Sequence, residues 1–488
     1  MNSTKIYSLH IYYAACVFFC FISLCGIAGI GLKNCDGAAY LMYGIELLDG
    51  KFSGHNFPSR LFQIIAAITS GYPFGIVPQT LYVSIFSFLL YIISTLFLFQ
   101  CLNKFVDRRY ALLIILFLSI SPYTRLYTYY SMSNLTDAWL IFFCCTAFWC
   151  IINNRFMMFG FIFSLGLIIR LQSIFILPAF IVLSDFSKRF FIRSVIGCII
   201  AYIFYYALLA YFGVLSNASG YAFYQELYIS KLSIDKVLNS LYNASYAVFK
   251  QMLKNYHLRF LIILLVINVI AIIAELYRDK SSIILKLYIF SLIFFLCDIA
   301  SCICGLLFWG TNTTNDRFDP RYMAYSFPFM VITTAVFMDR CIAIFGPLYV
   351  WAIKFIRIIV PITIILATVY FIKSFPATKD KILFSYVDID RKSIADTFSG
   401  SISYCDRYSN FFSGIYFNEK SKMFIDPENP IPDNIKTIFV VQKWFYYNGK
   451  ESPLKTLENN GYIFGTNPQF KVAHHYKKSN LEFYIFTR

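Results

Sequence analysis

The chain has 488 residues, of which 59% are hydrophobic and only 14% are charged, although its net charge is +16. Soluble domains contain about 25% charged residues, so this composition excludes an ordinary soluble protein and indicates a polytopic membrane protein. Many of the lysines and arginines lie in short loops between apolar segments, where they orient a membrane protein. We therefore expect membrane lipid, and no nucleic acid, among the partners.

Eleven apolar segments predict transmembrane helices. The first, residues 11–32, covers the roughly 20 residues that cross a bilayer, and it shows no small-residue cleavage site of a signal peptide. Several later segments are shorter than a full crossing, and one pair could be re-entrant. These segments are 78–101, 111–121, 135–152, 157–169, 171–184, 194–213, 259–276, 287–308, 324–340 and 356–373.

Basic residues occupy every second loop, which predicts that these loops are cytoplasmic. The residues concerned are Lys104, Arg108, Arg109, Arg155, Lys188, Arg189, Arg193, Arg278, Lys280, Lys286, Arg340, Lys354 and Arg357. The opposite loops are 33–77, 122–134, the turn around Arg170, 214–258 and 309–323. With the N-terminus inside, this arrangement places the segment after the last span outside.

That segment, residues 374–488, is polar and contains no further span. Thr437–Gln442 and Leu481–Thr487 have the pattern of strands, and Ser452–Asn460 that of a short helix between them. A segment of this length can bury a core of its own. The sequence thus predicts a mainly α membrane domain, 1–373, followed by a small extracytoplasmic α/β domain, 374–488.

The cysteines predict no zinc site, because no two CxxC pairs stand at zinc-ligand spacing. Twelve of the fourteen lie in or beside apolar segments, where cysteine behaves as a small hydrophobe. Cys35 and Cys405 lie in the outer segments, where they could form a disulfide or remain free thiols.

The first outer loop concentrates ionisable groups. Asp36 and Tyr40 would share one face of a helix, and Glu46 and Asp49 follow. A carboxylate just outside the bilayer can deprotonate a hydroxyl acceptor or hold a metal; the alternative is an ordinary solvated loop. Arg60 precedes an amphipathic stretch that could lie in the interface, where its side chain would either meet a lipid phosphate or only snorkel.

Further charged residues stand at other predicted membrane boundaries. Asp137 opens the fourth span, where a buried acid is costly and often functional, and Arg170 interrupts two apolar runs at the outer boundary or in a cavity. Arg317 and Arg321 lie just before the tenth span, followed by Tyr322. Arginine suits bidentate phosphate contacts, although salt bridges to Asp316 and Asp319 would explain the same residues.

The motifs, taken together, resemble the GT-C-fold glycosyltransferases over residues 10–340. Asp36-x3-Tyr40 followed by Gly44–Phe52 is similar to the first outer loop of that family. Further similar segments follow in the same order: Ser121-Pro122, YYSMSNLTDAWL (Tyr129–Leu140), GFIFSLGLIIRLQSIFILP (Gly160–Pro178) and RYMAYSFPF (Arg321–Phe329).

The resemblance implies transfer of a sugar, with inversion, from a polyprenyl-phosphate donor to an acceptor on the outer face. It implies that Asp36 is the catalytic acid or base, Asp137 a second acidic contact in catalysis, and Arg321 a contact of the donor phosphate. With these we group Tyr40, Glu46, Arg60, Arg170, Arg317 and Tyr322 as substrate-binding candidates. The family's usual acidic pair is here a single Asp36 preceded by Cys35, so we predict no cofactor, and the spacing does not support a divalent metal.

The size and the Lys/Ile/Tyr/Phe-rich composition are most similar to those of the serotype-converting O-antigen glucosyltransferases. That subfamily implies glucose as the sugar, lipid-linked O-antigen polysaccharide as the acceptor, the bacterial inner membrane as the location and a periplasmic C-terminal domain. Two other functions stay open. A flippase or polymerase for lipid-linked glycans would need no catalytic carboxylate in the first loop, and a solute transporter would show inverted repeats, which we do not find in the sequence.

Overall fold

A computed structural model of the chain describes residues 35–50, 60–74, 80–120, 136–213, 234–254, 256–279, 282–308, 325–344, single positions between 351 and 369, 431, 433, 435–443, 453–478 and 481–488. The described part before residue 345 is helical. Its helices are α1 Cys35–Leu48, α2 Arg60–Thr69, α3 Thr80–Leu102, α4 Arg108–Ile120, α5 Thr136–Ile152, α6 Phe156–Ile169, α7 Leu177–Leu183, α8 Lys188–Tyr211, α9 Ile234–Lys254, α10 Tyr256–Arg278, α11 Ile283–Phe308 and α12 Phe327–Ile344.

Apart from 171–184, the predicted apolar segments between 78 and 340 largely coincide with described helices. By length and composition, three stretches in the described residues suffice to cross a membrane: Lys188–Tyr211, Arg259–Arg278 and Ile283–Cys304. The count of eleven spans therefore stays a prediction. The predicted span 11–32 lies outside the described residues, as does most of 356–373.

The predicted span 171–184 is wrong as a single helix. The chain leaves α6 at Arg170 in an extended conformation (φ −148°, ψ 106°), forms a 3₁₀ helix over Leu171–Ile176, and only then enters α7. Pro178 stands in the first turn of α7, where the backbone N–H that proline lacks would have no acceptor within the helix. The result is a helical hairpin with Arg170 at its turn.

α6 and α8 pack with their backbones almost in contact. A Cβ atom added at Gly160 would lie 2.0 Å from the carbonyl oxygen of Ser194, and one at Gly197 would lie 2.0 Å from that of Met157. Small residues permit such close helix crossings, which dispersion and weak hydrogen bonds then stabilise. The Ser194 hydroxyl also donates to the carbonyl of Phe156 at 3.3 Å.

The loops with alternating basic charge meet at one end of the bundle, which we call the basic end. A cleft of about 360 Å³ there is lined by the turns that follow α3, α5 and α7 and by the start of α11, among them Lys104, Asn154 and Asp185. Lys286 pairs with Asp185 at 2.6 Å, and Arg340 pairs with Glu275 at 2.5 Å. This arrangement agrees with the alternation of loops that the sequence predicts.

The C-terminal part contains a three-stranded antiparallel sheet in the order β1-β3-β2, with β1 Thr437–Lys443, β2 Lys471–Lys478 and β3 Leu481–Thr487. A helix, α13 Pro453–Asn459, covers one face and buries Leu457 against a core that includes Ile438 and Phe486. The two predicted strands and the short helix are confirmed. β2 was not predicted, because its sequence KVAHHYKK is rich in polar residues.

The predicted outer loop 214–258 contains a long helix, α9. Ala244, Val248 and Met252 recur at intervals of four residues and are buried, and α9 packs against α10 and α11. Its many polar side chains excluded it from the predicted spans, although its apolar residues have helical spacing.

Candidate functional site

The first outer loop folds into two helices, α1 and α2, that pack against each other; a mainly solvated loop is therefore excluded for its described residues. A Cβ atom at Gly44 would lie 2.0 Å from the carbonyl oxygen of Gln63, so only glycine allows this approach. The amphipathic stretch after Arg60 forms α2, and most of its side chains are buried by protein. Its position in the membrane interface stays a prediction.

Aromatic rings join this helix pair to the bundle. Phe62 of α2 lies edge-on to Tyr40 of α1, with ring centroids 5.7 Å apart, and to Trp139 of α5 at 5.8 Å. Asp36 lies one helical turn before Tyr40, and Asp137 lies two residues before Trp139. Phe62 thus joins the opening segments of the two helices that carry the predicted catalytic acids.

The Asp36 and Asp137 side chains are not among those that the structure describes, so the distance between the carboxyl groups stays open. Both residues lie in the first turn of their helices. Carboxylates are stabilised there by the positive end of the helix dipole. This position is compatible with a structural role as well as with catalysis.

Arg60 and Glu46 lie deep in the protein, at 3% and 6% exposure. The Arg60 guanidinium lies within electrostatic range of the hydroxyl of Tyr205, which belongs to α8. Of the two alternatives for Arg60, snorkelling to water is wrong, because its side chain is enclosed by protein. Burial of a charged group is costly unless something compensates it, and such groups are frequently functional.

Asp49, at the end of α1, differs from these residues because it is exposed. It accepts a hydrogen bond from the hydroxyl of Tyr72, which stands in a short 3₁₀ helix after α2. Partial burial and the neighbouring Asp49 carboxylate raise the pKa of Tyr72 to about 12. The contact fixes the C-terminal end of α1. Because Asp49 is an exposed acid next to the same helix as Asp36, it can serve as a control for that residue in experiments.

Arg170 lies at the turn of the α6–α7 hairpin and is 7% exposed. Its Nη1 donates to the Tyr325 hydroxyl at 2.9 Å, and its guanidinium carbon lies 5.8 Å from the centroid of the same ring. Two sequence motifs, Gly160–Pro178 and Arg321–Phe329, are therefore in direct contact. Their proximity was not predicted from the sequence.

Asp298, which lies within α11, was not predicted as a site residue. It is 2% exposed, its Oδ2 accepts from the backbone N–H of Ser326 at 3.2 Å, and it lies within electrostatic range of Arg170. The signal was present in the sequence, since Asp298 is an acid in the middle of an apolar span, and such residues are rare and usually functional.

Arg317, Arg321 and Tyr322 lie outside the described residues, so their predicted contacts are not tested. Arg321 precedes Tyr325 by only four residues in the sequence. We call the end of the bundle that is formed by α1, α2 and the turn at Arg170 the site end. It holds two groups of residues. Tyr40, Glu46 and Arg60 belong to the α1–α2 pair, whose core also includes Ile169, and the second group is Arg170, Asp298, Tyr325 and Ser326.

Within the described part of the chain, no three His, Cys, Asp or Glu side chains come close enough to hold a metal ion. The site end instead offers buried guanidinium groups next to aromatic hydroxyls. Arginine in a region of low dielectric is suited to an anion such as a phosphate, to which it can donate two parallel hydrogen bonds.

No protein family model matches the sequence, and no curated protein matches it. Two solved structures from Archaeoglobus fulgidus are similar in fold: an oligosaccharyltransferase in complex with zinc and sulfate, and the oligosaccharyltransferase AglB in complex with an inhibitory peptide and a dolichol-phosphate. The first has 12% identity and a TM-score of 0.40, covering 83% of this chain and 61% of that one. The second has 12% identity and a TM-score of 0.45, covering 86% and 65%.

This chain therefore spans less than two thirds of the length of either similar structure. Similarity at this level does not assign the activity of those enzymes to this chain.

Proposed function

We propose that this protein is an inverting glycosyltransferase of the membrane that transfers a sugar from a polyprenyl-phosphate donor to an extracytoplasmic acceptor. At the finer level we propose glucose as the sugar, lipid-linked O-antigen polysaccharide as the acceptor, and the bacterial inner membrane as the location, with the C-terminal domain in the periplasm. The motifs that resemble GT-C-fold enzymes favour this activity.

One structural observation carries the proposal: Arg170 is buried at the site end and bonded to Tyr325, at the start of the helix that follows Arg317 and Arg321. The basic end of the bundle holds its cations in partly exposed ion pairs. A buried guanidinium is costly to maintain, so its presence at the other end favours a role in binding an anion. The anion of a polyprenyl-phosphate donor is its phosphate.

In the proposed reaction, Asp36 accepts the proton of the acceptor hydroxyl, whose oxygen attacks the anomeric carbon of the sugar. The bond from that carbon to the phosphate oxygen breaks, so the configuration inverts and polyprenyl phosphate leaves. Negative charge grows on the phosphate as the bond breaks, and arginines fixed in advance at this position stabilise it. Arg321 and Arg170 are our candidates for this role, while Asp137 would contact the substrates as a second acid.

The position of α1 supports this assignment. Tyr40, one turn after Asp36, is enclosed between α1 and α2, and the contact chain through Phe62 continues to Trp139 near Asp137. The two acids thus belong to helices that one aromatic side chain connects, as a shared substrate cleft would require.

The test is transfer of radiolabelled sugar from polyprenyl phosphate to candidate acceptors by purified protein. Asp36→Asn should abolish transfer, because general acid–base catalysis contributes at least about 10²-fold, while expression and membrane insertion stay normal. Asp49→Asn is the matched control, since Asp49 is an exposed acid at the other end of the same helix, and it should retain activity.

Retention of more than about a tenth of the activity in Asp36→Asn would contradict general-base catalysis by this residue. If the wild-type protein transferred no sugar but moved or polymerised lipid-linked glycan, the flippase or polymerase function would replace our proposal.

A further inference from the structure

Asp298 is a buried acid whose surroundings come from three separate parts of the chain. It lies in the apolar stretch of α11 that is long enough to cross a membrane, and only 2% of it is exposed. A carboxylate at such a position is expensive unless hydrogen bonds and an opposite charge compensate it. A hydrogen bond to Asp298 is present, and the positive group within electrostatic range is the guanidinium of Arg170.

The hydrogen bond is made to the beginning of α12. Ser326 is the N-cap residue of that helix, because its carbonyl accepts the first helical bond, from the N–H of Met330 at 3.0 Å. The N–H of an N-cap residue is commonly bonded by an acidic side chain three residues later, but that position is Phe329 here. Asp298 supplies the missing acceptor from the neighbouring helix, with a Ser326 N to Asp298 Oδ2 distance of 3.2 Å.

The positive group is Arg170, whose guanidinium lies within electrostatic range of Asp298. Arg170 in turn donates to the hydroxyl of Tyr325, the residue before Ser326. Asp298 therefore holds the helix start that carries Tyr325, and it lies near the guanidinium that donates to Tyr325.

We propose that Asp298 is a positioning residue for the phosphate of the lipid donor, acting through Arg170 and through the start of α12. This inference rests on the proposed function. Asp298 fixes the Arg170 guanidinium and the N-terminus of α12 in one geometry before the donor arrives. A preorganised donor group binds an anion more tightly than one that must first be ordered.

The experiment compares Asp298→Asn with Asp298→Ala in full-length protein. Asparagine keeps an oxygen that can accept from Ser326 but removes the charge that attracts Arg170. In Asp298→Asn we expect the affinity for polyprenyl phosphate, measured by native mass spectrometry, to fall about tenfold, which corresponds to about 1.4 kcal/mol. The KM of the acceptor should stay unchanged, which a general loss of structure would not produce.

Hydrogen exchange gives a second readout that is independent of the donor. Amide exchange at the start of α12 should rise in Asp298→Ala, which has lost the acceptor, and stay near wild type in Asp298→Asn. Ser291→Ala is the control: Ser291 is a fully buried polar residue of α11 that also contacts α12, through Met330. It should change neither donor affinity nor exchange at Ser326.

If wild type and Asp298→Asn bound polyprenyl phosphate equally, the positioning role would be wrong while the proposed function stood. The same conclusion would follow if binding fell only in proportion to the fraction of folded protein. If the wild-type protein bound no polyprenyl phosphate at all, the proposed function would fail and this inference with it.

Discussion

The two ends of the helical bundle use their positive charges differently. At the basic end, Lys286 and Arg340 keep 33% and 28% of their side chains exposed while they pair with Asp185 and Glu275. At the site end, Arg60 and Arg170 are 3% and 7% exposed and lie beside tyrosines. Exposed ion pairs change the free energy of folding little, whereas a buried guanidinium destabilises the protein unless neighbouring groups compensate its charge.

The difference shows which charges are candidates for chemistry. The residues of the basic end are suited to orienting the protein in the membrane, because for that role they need only lie in loops outside the bilayer. The arginines of the site end are placed where their charge acts through a low dielectric, so that an anion bound there would interact strongly. Four experiments can break or sharpen this comparison.

The largest expected effect is on membrane orientation. Alkaline phosphatase fused after Arg488 should be active and green fluorescent protein at the same position dark, because we expect this end to be periplasmic. The same two reporters fused after Asn154, at the basic end, should give the reverse pattern. Equal patterns at the two positions would place both on one side and overturn the predicted topology, including the outer position of Asp36.

The second effect concerns the donor phosphate. Arg321→Ala should be nearly inactive and Arg321→Lys partly active with weaker use of the donor, because lysine keeps the charge but loses the two-pronged geometry. We expect Arg170→Lys to show the same donor defect, at least about tenfold in kcat/KM, since hydrogen bonds to charged groups are worth about 1.5–3 kcal/mol.

The KM of the acceptor should hardly change in these variants. Arg340→Lys at the basic end is the matched control, and we expect it to use the donor normally. Normal turnover of Arg321→Ala at low donor concentration would show that the motif Arg321–Phe329 has only a structural role at the start of a helix.

The third effect compares two close helix contacts. Gly44→Ala and Gly160→Ala each place a methyl group 2.0 Å from a carbonyl oxygen, so both should destabilise the protein, by about 1–3 kcal/mol as is typical of overpacking. Only Gly44→Ala moves α1, which carries Asp36. The midpoint temperature of thermal unfolding should therefore fall in both variants, whereas activity per folded molecule should fall in Gly44→Ala alone. Equal losses of specific activity in the two variants would contradict a link between the α1–α2 contact and catalysis.

The smallest effect is expected at the exposed ion pair of the basic end. Lys286→Met should change stability by no more than about 1 kcal/mol, the usual limit for exposed pairs, because both partners are well over a quarter exposed. Sugar transfer should be unchanged. A substantial loss of activity in this variant would mean that the basic end takes part in function.

The helices were predictable because their signal is local. The boundaries predicted for the fourth span, 135–152, differ from those of α5 by one residue, since an unbroken apolar run fixes both ends. The break at Arg170 was seen as a charged interruption, but the 3₁₀ turn after it follows from tertiary packing and was not. α9 was missed because its apolar face shares the helix with lysines and asparagines.

Individual candidate residues could be selected from the sequence, and their roles stay predictions; their arrangement could not be predicted. Tyr40, Glu46, Arg60 and Arg170 were all selected from their positions at membrane boundaries, and all are buried at the site end. The contact of Arg170 with Tyr325 joins residues far apart in the sequence, which no local pattern encodes. Asp298 was not predicted because it lies inside an apolar span, whereas the candidates were charged residues at the ends of spans.

The order of strands in the C-terminal sheet has a consequence for biosynthesis. β3, the central strand, is translated after both strands that flank it, and β1 forms its ladder with β3 and not with β2. The first strand therefore has to wait, after its own synthesis, until more than thirty further residues have been added. A premature stop before Leu481 would leave β1 and β2 both unpaired, and chains with such unpaired strands are subject to aggregation and to removal by proteases.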